Sequence, residues 1–93
     1  MKVSKPGTIE IPQTGLVEIS QEKKGQWNLF FALKGIYQKK SAMAIKVLDQ
    51  GKPLSIMPLQ QGQAGLDDLL PGKYRFILLW KDTPLSFFEL ELG

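Results

Sequence analysis

Lys73-Tyr74-Arg75-Phe76-Ile77-Leu78-Leu79-Trp80 is the stretch from which the fold is read. Tyr74, Phe76, Leu78 and Trp80 fall on one side of an extended chain, and Lys73, Arg75, Ile77 and Leu79 on the other. That period of two belongs to a β-strand with one buried face. Lys81-Asp82-Thr83-Pro84 then turns the chain. Leu85 to Leu92 returns with Phe88, Leu90 and Leu92 alternating against Phe87, Glu89 and Glu91, which predicts a C-terminal hairpin.

The same device recurs toward the N-terminus. Thr8–Ile11 and Leu16–Ile19 alternate polar with branched apolar residues and are separated by Pro12 and Gly15. Gln21–Gln26 reads as a charged turn around Gly25. Trp27, Leu29, Phe31 and Leu33 form the core side of the next strand, with Asn28, Phe30, Ala32 and Lys34 opposite. Met43, Ile45 and Val47 point inward from Ala42–Leu48, and Asp49–Pro53 reads as a turn. Leu54–Leu59, interrupted by Pro58, reads as an edge strand, because proline donates no ladder hydrogen bond. Gln60–Gly65 is open between loop and weak strand. Asp67–Leu70 reads as a single helical turn stopped by Pro71-Gly72.

No segment keeps an apolar period of 3.6 long enough for a surface helix. The expected fold is therefore all-β: an antiparallel Greek-key β-sandwich of about seven strands. The 93 residues suffice for one core, so residues 1–93 are read as a single domain.

The segment VLDQGKPLSIMPLQQGQAGLDDLLPGKYRFILLW, residues 47–80, resembles the prealbumin-like β-sandwiches of the carboxypeptidase regulatory-domain class, which are immunoglobulin-like in the broad sense. Val47–Pro53 resembles that family's strand ending in an Asp-Gly-Lys-Pro turn, with Gln50 inserted. Gly65, Leu69, Leu70, Pro71, Gly72 and Tyr74 resemble its Leu-x-Pro-Gly-x-Tyr entry into a core strand. Leu66-Asp67-Asp68 departs from the family's pattern. The resemblance implies a noncatalytic module that attaches, spaces or recognises.

Composition narrows the chemistry. The chain has no Cys and no His, which excludes disulfides, thiolate nucleophiles, imidazole bases and the common transition-metal sites. Asp67 and Asp68 are adjacent, so their side chains diverge, and no spaced Asp/Asn loop is present to hold calcium. No catalytic residue, cofactor site or metal site is assigned, and no enzyme activity is expected. The net charge is +3, but Lys23-Lys24 and Lys39-Lys40 are short pairs beside turns rather than a dense basic face, so nucleic acid is not an expected partner.

The start, MKVSKPGTIEIP, has no apolar run after its lysines, and the apolar stretch Phe76–Trp80 is too short to span a bilayer. A soluble chain is expected. An extracytoplasmic or cell-surface domain expressed without its signal is compatible with the same reading.

Two functional readings remain. Phe30, Ile77, Leu79 and Phe87 lie on the parity opposite the core and would form an apolar patch where their strands are neighbours, the mark of a protein partner or of self-association. Alternatively, the polar connection Gly35–Ser41 offers Tyr37, Lys39 and Lys40 as loop contacts for carbohydrate or another surface ligand, with Trp27 and Trp80 as further candidate rings.

Overall fold

The computed structural model describes residues 1–93. In chain order its elements are β1 (Lys2–Val3), β2 (Gly7–Ile11), β3 (Gly15–Lys23), β4 (Gln26–Leu33), α1 (Ile36–Lys39), β5 (Met43–Asp49), β6 (Lys52–Pro58), β7 (Gln63–Leu69), β8 (Gly72–Trp80) and β9 (Thr83–Leu92). They form two sheets, a five-stranded one ordered β1-β9-β8-β5-β6 and a four-stranded one ordered β2-β3-β4-β7. Every pairing is antiparallel except that of β1 with β9. The architecture is an all-β sandwich.

The alternating strands supply the core from both sides. Val17, Ile19, Trp27, Leu29, Phe31, Leu33 and Leu69 project from the four-stranded sheet, and Met43, Ile45, Val47, Tyr74, Phe76, Leu78, Leu90 and Leu92 from the other. Removing these side chains from water is the main stabilising term of such a fold. Phe76 lies at its centre, with ring centroids 5.3 Å from Phe31 across the sandwich and 5.1 Å from Phe88 on the neighbouring strand. No polar or charged residue is buried.

Three tight turns pass through two residues that both have positive φ: Gln50-Gly51 (50° and 83°) in the β5–β6 hairpin, Lys81-Asp82 (49° and 66°) in the β8–β9 hairpin, and Gln61-Gly62 (54° and 76°), closed by a single bridge between Gln60 and Gln63 where the chain crosses from one sheet to the other. In the two hairpins, successive positive φ values match the right-handed twist of the flanking strands. Glycine takes the second position without strain in Gln50-Gly51 and Gln61-Gly62, whereas Lys81-Asp82 has no glycine.

Several expectations are corrected. Asp67–Leu70 is not a helical turn: Asp67, Asp68 and Leu69 belong to β7. There Trp27 pairs with Leu69 and Leu29 with Leu66, so Asp67 and Asp68 together face Asn28 in a bulge. Asp68 has φ 62°, and its N–H donates to Asn28 Oδ1 at 3.0 Å. The bulge breaks the period of two and imitates a turn in the sequence. The Gln21–Gln26 turn is shorter than expected, because β3 continues to Lys23 and pairs it with Gln26. The Gly35–Ser41 connection contains the four-residue α1, and β1 adds a two-residue strand against β9. The strands therefore number nine rather than about seven.

Candidate functional site

The outer face of the five-stranded sheet is built from residues whose parity opposes the core. Residues directly opposite one another in an antiparallel pair share a face, so register fixes its composition. One row across it reads Phe87, Ile77, Lys46 and Ile56. The next reads Pro84, Leu79, Ala44 and Pro58, and the row on the other side begins with Glu89, Arg75 and Leu48.

The face carries large apolar side chains on either side of Lys46. Ile56 is 61% exposed and Phe87 59%, with Leu54 and Leu85 also exposed along the flanking strands. Leu79 is only 9% exposed although it points away from the core. It sits beside the irregularity at Leu78/Leu79, where Pro84 opposes it. Lys46 lies half-buried between Ile77 and Ile56, a position from which a lysine covers apolar surface with its stem and keeps its ammonium in water. The Arg75 guanidinium lies 4.7 Å from the Phe87 ring centroid and 3.3 Å from the Glu89 carboxylate. The patch therefore carries a charged rim of both signs.

The structure brings Ile77, Leu79 and Phe87 together on this face but not Phe30. Phe30 belongs to the four-stranded sheet, opposite Glu18 and Gly65, where it is 39% exposed. It faces away from the other three, on the far side of the sandwich. Ile56 and Leu54 join the patch instead. Their strand reads in the sequence only as a proline-interrupted edge, although the spacing of Leu54 and Ile56 against the buried Met57 carries the signal.

The loop candidates are arranged differently. Tyr37 is half-buried and packs against the core, Lys39 is exposed, and the Lys40 ammonium lies 4.0 Å from the Trp80 ring centroid. Lys81 approaches that ring at 5.1 Å, while Trp27 is fully buried. None of these rings forms an open platform. The acidic residues do not assemble into a group of three that could hold a metal ion, and no helix is long and apolar enough to cross a membrane.

A second apolar feature lies between the sheets. A cleft of about 220 Å³ opens between the β2–β3 hairpin and β9, with Ile11, Leu16, Phe31, Leu78 and Phe88 among its walls and Ser86 at its side. No protein-family model, curated protein or solved structure matches the chain.

Proposed function

We propose that this domain is a noncatalytic interaction module that works by protein association, with the outer face of the five-stranded sheet docking onto a second copy of the chain. The observation that carries the reading is the row of Phe87, Ile77 and, across Lys46, Ile56 on one sheet face, with Phe87 and Ile56 largely exposed. Large exposed apolar patches rimmed by polar groups mark interaction sites. A second copy is favoured because Lys46, Arg75 and Glu89 place both charge signs on the same face as the apolar residues, so two copies can set Lys46 of one against Glu89 of the other. A specific interface buries roughly 800 Å² per partner, an area on the scale of one sheet face.

The finer fold assignment belongs to the same proposal. We read the sandwich as a Greek key, immunoglobulin-like in the broad sense. Supporting this are the pairs β4–β7 and β5–β8, one in each sheet, with β3 beside β4 and β9 beside β8, the arrangement of the ABE and CFG strands in that fold. Also in support, the Tyr74 hydroxyl at the start of β8 donates to the Leu70 carbonyl at 2.6 Å, as in a tyrosine corner. The narrower prealbumin-like resemblance rests on its sequence motif alone.

Light scattering across a concentration series tests the functional reading. The wild type is expected to gain mass with concentration, while Ile77→Glu and Ile56→Glu stay monomeric with unchanged circular dichroism. A wild type that remains monomeric at high concentration overturns self-association. Concentration-independent mass together with carbohydrate binding lost in Tyr37→Ala would move the function to the α1 loop.

A further inference from the structure

Positive charge is gathered at one end of the sandwich. The connections 12–14, 34–42, 59–62 and 81–82 meet there, tied by Lys34 N–H to Thr14 O at 2.8 Å, Leu33 N–H to Gly62 O at 2.8 Å and Lys81 N–H to Ala42 O at 3.0 Å. They carry Lys34, Lys39, Lys40 and Lys81 against Asp82 alone. The other eight basic and eight acidic residues cancel, so the chain's whole excess of +3 lies at this end. None of the four lysines is paired with a carboxylate, since both ion pairs, Lys73–Glu91 and Arg75–Glu89, lie elsewhere. Trp80, the last residue of β8, holds two of them in place, with the Lys40 ammonium 4.0 Å and the Lys81 ammonium 5.1 Å from its ring centroid. Ile36 protrudes from the same end between Lys34 and Lys39, and at 68% exposure it is more open than any large apolar side chain except Met1.

We propose that this end docks on an anionic lipid surface, with the four lysines over the headgroups and Ile36 inserted among them. The attraction of each lysine to such a surface falls off within a Debye length, so charge concentrated at one end turns that end of the sandwich toward the bilayer. Ile36 separates a bilayer from a soluble polyanion. A headgroup layer takes up an apolar side chain, whereas a sulfated glycan or a nucleic acid strand, bound through its charges, leaves it in water. Base stacking has no open ring to use, because Trp80 is half-buried with Lys40 against it and Tyr37 packs against the core. The basic end shares no residue with the outer face of the five-stranded sheet, so it stands or falls independently of self-association there.

The test is co-sedimentation of the full chain with vesicles of phosphatidylcholine alone or with about 30% phosphatidylserine, at about 50 and about 500 mM NaCl. Binding is expected only to the anionic vesicles and only at the lower salt. Lys40→Gln with Lys81→Gln is expected to weaken it about thirtyfold, at about fivefold per lysine. Lys34→Gln with Lys39→Gln, which leaves the contacts of Trp80 in place, is expected to do the same. Ile36→Ser is expected to weaken it about tenfold. Lys23→Gln with Lys24→Gln, the same loss of charge at the opposite end, leaves binding unchanged. All variants are expected to keep the wild-type circular dichroism. An equal loss in the Lys23 and Lys24 variant overturns the proposal in favour of attraction by net charge alone. Full binding by Ile36→Ser overturns lipid insertion, and a heparin octasaccharide bound equally by wild type and Ile36→Ser then assigns the end to a soluble polyanion. Absence of binding to the anionic vesicles at the lower salt also overturns it.

Discussion

Tyr74 joins packing to polar satisfaction in one side chain. Its ring is buried beside Phe76 while its hydroxyl reaches the Leu70 carbonyl at 2.6 Å. Tyr74→Phe keeps the ring and loses the hydrogen bond, so it is expected to cost about 1 kcal/mol in urea unfolding. Burial, and then the nearby Asp49 carboxylate, push the phenol above its ordinary 10.0. The folded state thus favours the neutral phenol. That contribution is complete below the unfolded value and is lost as pH rises through the folded one. Urea midpoints measured from about pH 9 to 11 are expected to fall more steeply for wild type than for Tyr74→Phe. Phe76→Ala, which removes the central ring, is expected to cost about 3–5 kcal/mol, against under about 0.5 kcal/mol for Glu10→Ala on the exposed side of β2. Comparable losses at both positions would contradict the assignment of faces.

Turns and irregularities, rather than regular strands, show where local preference and tertiary pairing disagree. Lys81-Asp82 holds two positive φ values without glycine, whereas Gln50-Gly51 and Gln61-Gly62 each place one. Replacing Lys81-Asp82 by Asn-Gly is expected to stabilise the β8–β9 hairpin by about 1 kcal/mol, read as a rise in melting temperature of about 4–8 °C. Gly15 marks the opposite case. A Cβ there would meet the Ala32 carbonyl and lie 2.8 Å from Leu33 Cα, both backbone atoms, so Gly15→Ala is expected to separate β3 from β4 and to lower the melting temperature sharply. The sequence pattern is legible in β4, β5 and β8 because nothing interrupts their alternation. It misleads in β7, where Asp67 and Asp68 share one bulge opposite Asn28, and it is silent on β1, whose two residues pair with the far end of the chain.

Across the whole molecule, parity identifies which residues face outward but not which sheet they face outward from. Ile77, Leu79 and Phe87 are neighbours because β8 and β9 form one hairpin, a local relation that the sequence carries. Phe30 has the same parity yet sits on the other sheet, because α1 and the passage to β5 lie between its strand and theirs. Ile56 joins the patch through Lys46, a pairing visible only once β5 and β6 are in register. Association through this face is tested most directly by amide shifts in a concentration series of the wild-type chain. The account predicts shifts that grow with concentration and gather at Ile56, Lys46, Ile77 and Phe87, leaving Phe30 and Tyr37 still. Shifts gathered at Tyr37, Lys39 and Lys40, or a spectrum that does not change with concentration, would contradict it.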